Sequence, residues 1–237
     1  MLDGMGKDAI TSYRVSIVSD ETSWINEFTP ELKEALLAQG HEVCEVHRVS
    51  EIPEGDFAFF LGCGQIVSPP ILERNCHNLV VHESDLPRGR GWSPLTWQIL
   101  EGKNEIPIVL FEAQPAVDSG KIYLRDVLHF KGFELVEDLR RAQAAASIRM
   151  CLEFVRRYPA IVAEGHVQEG EATYFPRRGT EDSRLDVEKP LRDLFPLLRV
   201  ADNKRYPAFF ELNGYRYVLA VQRVDAPTED FDIPEGR

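Results

Sequence analysis

The sequence has no apolar run long enough to cross a membrane, no paired cysteines and no excess of positive charge, and each absence removes a class of protein. No window reaches the roughly 18 consecutive apolar residues of a spanning helix. The amino-terminal MLDGMGKDAITS lacks the apolar stretch of a secretory signal, so a cytoplasmic chain without membrane contact is expected. Cys44, Cys63, Cys76 and Cys151 are scattered and form no C-x-x-C pair, which argues against a zinc knuckle or a disulfide framework. Cys76-His77 could begin a metal site, but reduced thiols are the commoner outcome in a cytosolic protein, and no metal is expected. Lys and Arg number 27 against 39 Asp and Glu, for a formal charge of −12. A surface of that sign repels phosphate backbones and weighs against a nucleic-acid partner, although a local basic patch could hold a nucleotide. No repeat of solenoid period is present.

What is there reads as alternating strands and helices. YRVSIVSD (13–20) alternates and ends in a polar loop, as a first core strand should. A helix follows with Thr29 as N-cap, Pro30 at its first position, Gly40 just past its end, and Leu32, Ala35 and Leu36 on one face. HEVCEVHRV (41–49), DFAFFLG (56–62), NLVVH (78–82) and IPIVLFEA (106–113) supply four more strands, with a Ser93-capped helix opening at Pro94 before the last. Residues 132–159 carry the longest helical period, with Leu135, Leu139, Ala142 and Ala146 on one face and a stop at Pro159. This order predicts an α/β, Rossmann-like, doubly wound and mainly parallel sheet over residues 1–158. Beyond it the texture changes to short runs broken by turn residues. A small, mainly β domain is expected over 159–237, with a hairpin at Asn213-Gly214 and a loose acidic tail over 225–237.

The stretch NLVVHESDLPRGRGWSPLTW (78–97) carries the chemistry. His82 leaves a strand into a loop, and Asp118 follows the next strand; in an open parallel sheet the carboxyl ends of strands line one crevice, which would bring the two together. Free imidazole titrates near about 6.5, so a histidine can accept a proton at neutral pH. Gly62 and Gly64 make no dinucleotide fingerprint, because Val67 stands where a third glycine belongs; they read as a tight turn that lets backbone approach a ligand. Trp24, in the loop after the first strand, stacks on a substrate or packs over the first helix. Arg88, Arg90, Arg177 and Arg178 either grip a substrate diphosphate or lie on solvated loops.

His82-Glu83-Ser84-Asp85-Leu86-Pro87, Arg90-Gly91-Trp92-Ser93-Pro94 and Asp118-Ser119-Gly120 together resemble the ordered core motifs of the folate-dependent formyltransferases. CGQIVSPPIL resembles the turn and helix that precede the histidine strand in that family, and TYFPRRGTEDSRLD and YPAFFELNGYRYV resemble the carboxyl-terminal extensions of its sugar N-formyltransferases. The resemblance implies a formyl donor, N(10)-formyltetrahydrofolate, bound near Gly64, Gln65, Ser84, Asp85, Leu86, Pro87 and Asp118. It also implies His82 as general base and Asp118 as the carboxylate that orients it. One position departs: Val80 stands where the family places the asparagine that holds the oxyanion. His82 once protonated, a backbone N–H of 83–86, or Gln65 are the candidate substitutes. The acidic charge and the small extension favour an enzyme acting on a nucleotide-linked amino sugar, most like those of pseudaminic-acid-type pathways, and this kind of enzyme implies a homodimer paired through the small β domain. A methionyl-tRNA enzyme, a formyltetrahydrofolate hydrolase and a folate- or nucleotide-binding module inactivated at Val80 are the alternatives.

Overall fold

The computed structural model describes residues 11–224, so the acidic tail at 225–237 lies outside the described residues. Strands β1 (Arg14–Val18), β2 (Glu42–Val46), β3 (Gly55–Phe60) and β4 (Asn75–His82) run parallel, with helices α1 (Thr29–Ala38) and α2 (Pro69–Leu72) among the connections. After β4 come the two-residue strand β5 (Arg90–Gly91), helix α3 (Pro94–Leu100), and strands β6 (Glu105–Glu112) and β7 (Ile122–His129). The main sheet has the order β2-β1-β3-β4-β6-β7. Its core strands are covered on both faces, which is why Phe57, Ala58 and Phe59 on β3 are all fully buried.

Two expectations need correction here. The strand over 106–113 runs antiparallel to β4, not parallel, with His82 opposite Val109 and Leu79 opposite Glu112. Helix α3 is tied to the exit of β4, with Gln98 Nε2 donating to the Glu83 carbonyl at 2.6 Å, so the chain re-enters the sheet from the end it has just left. In addition, KIYLRDVLH forms the edge strand β7, which hairpins with β6 and has no counterpart in the expected strand list.

Helix α4 (Val136–Arg157) buries Leu139, Ala146 and Phe154 against the sheet and stops before Pro159, as its pattern predicts. Helix α1 starts one residue earlier than expected: Phe28, not Thr29, is the N-cap, and no side chain caps it. Ser93 does occupy the N-cap of α3, but with φ of 48° and no side-chain bond.

The carboxyl-terminal part contains the short helix α5 (Ala160–Ala163), β8 (Tyr174–Phe175), α6 (Leu191–Val200), and the hairpin β9 (Ala208–Leu212) and β10 (Tyr215–Leu219). Asn213 and Gly214 both have positive φ, as a two-residue turn between twisted antiparallel strands requires. A small β sheet is thus present, joined by a ten-residue helix absent from the expected list. Strand β8 pairs with β5 rather than with the hairpin, so residues 166–176 lie against the first unit. Arg199 of α6 bonds Asn104 and the Glu134 carbonyl, fixing the small unit to the large one.

Candidate active site

His82 ends β4 with its ring on the face that carries Val80, Val109, Phe111, Ile122 and Leu86. It is 6% exposed. Its Nε2 lies 2.8 Å from the Gly89 carbonyl oxygen and 3.9 Å from Asp118 Oδ2. A carbonyl only accepts, so Nε2 carries the hydrogen and the neutral ring keeps its lone pair on Nδ1.

Asp118 reaches this face by a different route from the one expected. Strand β6 ends near Leu79, and the loop over 113–121 doubles back across the sheet. Asp118 has φ of 48°, a left-handed conformation that Asp tolerates better than most residues. Gly120 passes so close to β6 that a Cβ there would sit 1.7 Å from the Glu112 carbonyl oxygen. That contact is the mechanical reason for glycine in Asp-x-Gly. Asp118 Oδ2 also accepts the Gly91 N–H at 2.8 Å. Gly91, at φ of 99°, leaves no room for a side chain either, since a Cβ would lie 2.5 Å from the Phe175 carbonyl oxygen.

The other expected residues divide. Ser84 is 2% exposed and its hydroxyl has no hydrogen-bond partner among the described residues; a buried orphan of this kind calls for a ligand or a water. Leu86 packs in the apolar cluster and Pro87 is buried beside it, while Asp85 turns outward to an ion pair with Arg125. Asp85, Leu86, Pro87 and exposed Arg88 line one side of a cavity of about 540 Å³, with Arg125 and the 166–171 segment on the other. A larger groove of about 800 Å³ lies at Tyr13, His41 and helix α4 and holds none of the motif residues.

Gly64 sits against Trp92, and its N–H donates to Asp20. Gln65 is not available as an oxyanion donor. Its Nε2 bonds Asp20 and the His47 carbonyl while its Oε1 accepts the Val49 N–H, so both donors close the crevice at β1 and β2. Trp24 does not face the site; its ring packs edge-on to Phe28, with the Arg140 guanidinium 5.8 Å from its centre. Arg177 and Arg178 lie over Trp92 and Trp97 at 4.8 and 6.0 Å, and Arg90 joins them through the β5–β8 pair. The Nε atoms of Arg90 and Arg178 are buried without partners. Burial lowers the pKa of Arg178, with the Asp182 carboxylate pulling the other way.

Two polar residues at the site carry no expected role. Burial raises the carboxyl of Glu83 above its usual range, against the opposing pull of His82 and a hydrogen bond from Gln143 on α4. Gln168 bonds the Asp118 and Gly120 carbonyls and receives Arg90. Nothing in HVQEGEATY marks that glutamine, because its partners are distant in sequence. Among the described residues, no cluster of three or more His, Cys, Asp or Glu could hold a metal ion, and no helix is long and apolar enough to cross a membrane.

A mixed α/β sheet thus brings a histidine and a carboxylate together on one face, over an apolar floor, with a cavity lined by residues 85–88 of the loop that follows. Residues 16–153, more than half of the chain, match the family model described as Formyl transferase, and the chain belongs to that family. A methionyl-tRNA formyltransferase from Thermodesulfovibrio yellowstonii is 23% identical over 179 residues, covering 72% of this chain and 58% of that protein. The chain thus spans a little over half the length of that relative. Among solved structures, methionyl-tRNA formyltransferase from Clostridium thermocellum superposes with a TM-score of 0.74 at 24% identity, covering 89% of this chain and 93% of that one. HypX from Aquifex aeolicus in complex with tetrahydrofolic acid gives 0.70 at 18%, covering 89% and 38%. A sugar N-formyltransferase from a Shewanella species gives 0.61 at 15%, covering 90% and 99%. At these identities the likeness is one of fold.

Proposed function

We propose that this chain moves a formyl group from N(10)-formyltetrahydrofolate to the free amine of a nucleotide-linked amino-deoxy sugar, in the cytoplasm. The observation that carries this reading is the approach of Asp118 Oδ2 to within 3.9 Å of His82 Nε2, inside the segment that matches the family. With Nε2–H held by the Gly89 carbonyl, His82 takes the amine's proton at Nδ1 as the nitrogen bonds to the formyl carbon. Asp118, facing the opposite edge of the ring, stabilises the imidazolium that results, as a carboxylate does in a Ser-His-Asp triad. Collapse of the tetrahedral carbon returns that proton to the departing folate nitrogen and leaves a formamide and tetrahydrofolate.

Val80 packs into the apolar floor and cannot donate to the oxyanion. Removing such a donor commonly costs about 10² to 10³ in rate. With Gln65 committed elsewhere, the 83–86 backbone and protonated His82 are left, joined by the unpartnered Ser84 hydroxyl. The cavity beside 85–88 is of a size that suits a folate, and the fold likeness to HypX in complex with tetrahydrofolic acid supports the same co-substrate. Arg177 and Arg178, each over a tryptophan ring, and Arg90 beside them on the β5–β8 pair suit a diphosphate. Self-association through the β9–β10 hairpin, where Leu212, Tyr215 and Val218 are exposed, belongs to the same proposal and is read by light scattering.

A second reading, transfer to methionyl-tRNA, draws on the higher TM-score of the Clostridium thermocellum enzyme, while the charge of −12 counts against it. One experiment separates them: incubation with formyltetrahydrofolate and, in turn, UDP-, dTDP- and GDP-amino sugars or methionyl-tRNA, scored by mass for one added formyl group. Formylation of a sugar supports the first reading and formylation of the tRNA the second. Formate released without an acceptor would mark a hydrolase, and no turnover with any of them would sink both readings.

A further inference from the structure

Gln168 lies well past the segment that matches the family, yet its side chain touches two of the motif loops. Its Nε2 donates to the Asp118 carbonyl at 2.8 Å and to the Gly120 carbonyl at 3.0 Å. Its Oε1 accepts Arg90 Nη2 at 2.7 Å. Asp118 Oδ2 in turn accepts the N–H of Gly91, the neighbour of Arg90. These bonds close a circuit: Gln168 to the main chain of Asp118, the Asp118 carboxylate to Gly91, and Arg90 back to Gln168.

We infer that Gln168 is a positioning residue that holds Asp118 against His82, so that the segment after the catalytic fold completes the catalytic pair. The inference rests on the proposed roles of His82 and Asp118. A non-glycine residue at positive φ persists only where its surroundings over-determine it, and Asp118 sits in a loop whose other residues from 114 to 117 are exposed. The two carbonyls that bracket Ser119 are pinned by a single amide group, which prevents the turn from relaxing. Only an amide donates twice and accepts once here. Glutamate keeps the acceptor for Arg90 but loses both donors and sets a negative charge against two carbonyl oxygens. Alanine loses everything.

The test is a double-mutant cycle on the full chain with Gln168→Ala, Gln168→Glu and Asp118→Asn. Displacing a catalytic group by about 1 Å can cost about 10² in rate. Both Gln168 variants are therefore expected to lower kcat by about tenfold to a hundredfold with KM for the folate donor within about twofold. In the Asp118→Asn background Gln168→Ala should change kcat no further, since its effect runs through that carboxylate. A structural role alone would give additive losses. Amide exchange supplies a readout independent of turnover: Gly91 N–H, held by the Asp118 carboxylate, should exchange at least about tenfold faster in Gln168→Ala, while β1 and β3 stay protected. Additive losses in the cycle, or wild-type kcat together with an unchanged Gly91 exchange rate, would overturn the inference. If wild-type protein forms no formylated product, the functional reading fails on its own, and the exchange rate still decides whether Gln168 holds the loop.

Discussion

Replacing Gly120 by alanine is expected to disable the site through geometry alone. The added Cβ would lie 1.7 Å from the Glu112 carbonyl oxygen and 2.7 Å from its carbon, both backbone atoms of β6 that cannot rotate away. Real Cβ contacts do not fall below 3.0 Å, so the loop has to retreat by about 1.3 Å at minimum. Asp118 is two residues upstream on the same loop and would move with it, carrying Oδ2 away from Gly91 and further than 3.9 Å from His82. A misplacement of that size costs about 10² in rate. Forcing an extra carbon into a filled space costs about 1 to 3 kcal/mol, which for a domain of this size lowers Tm by between about 2 and 12 °C. Formyl transfer by single-turnover mass spectrometry and melting by circular dichroism read the two effects. Gly102→Ala is the control: that glycine has a positive φ, at 84°, but nothing lies within 4 Å of the new carbon. It should cost about 1 kcal/mol for the left-handed backbone and leave turnover unchanged. If Gly120→Ala keeps kcat within about twofold of wild type, the claim that this contact sets the Asp118 position is wrong.

Further outcomes follow from the same geometry. Asp118→Asn keeps an oxygen for the Gly91 N–H but loses the charge, so kcat should fall by about 10² or more with little change in Tm; a wild-type pH–rate profile and rate would refute the charge's role. Ser84→Ala should lower kcat by up to about 10² if its hydroxyl contacts the oxyanion, whereas Gln65→Ala should lower Tm by breaking the crevice network without reaching the chemistry, and the reverse assignment of effects would contradict the structure. Glu83→Gln bears on pH. Burial raises the folded carboxyl above its ordinary value of 4.5, so the native state binds the proton more tightly than the unfolded chain, and stability is lost as pH rises from that value through the folded pKa. The variant cannot ionise and should be more stable than wild type at neutral pH, with the two melting temperatures converging below pH 4.5; a constant gap across that range would contradict the linkage.

The residues explain why some of this was legible beforehand. Strands β1 to β4 announce themselves because apolar runs such as DFAFFLG need cover on both faces, and α1 and α4 because Leu32 and Leu36, or Leu139 and Ala146, recur at helical spacing. The direction of β6 is not legible, since alternation in IPIVLFEA reads the same both ways and nothing in the run shows which end of β4 the chain returns to. Strand β7 hides because it is an edge, with Arg125 and Asp126 directed toward ion pairs. Helix α6 hides behind Pro196, which sits inside it and reads as a break. The pairing of His82 with Asp118 is legible from the motifs, but its cause is not. The carboxylate arrives on a loop folded back at Gly120, not from the carboxyl end of a parallel strand. Gln65 and Trp24 mislead for a related reason: each lies near the crevice in sequence order, and their contacts with Asp20 and Arg140 are made in space.

The most direct test is turnover by His82→Asn alongside wild type, with formyltetrahydrofolate and whichever acceptor the wild-type protein formylates in the panel above. Loss of a positioned general base predicts a fall in kcat of about 10² to 10⁴, with folate affinity and melting temperature retained. Transfer at a rate within about twofold of wild type would mean that the imidazole on β4 does not move the proton, and the account of this site would fail.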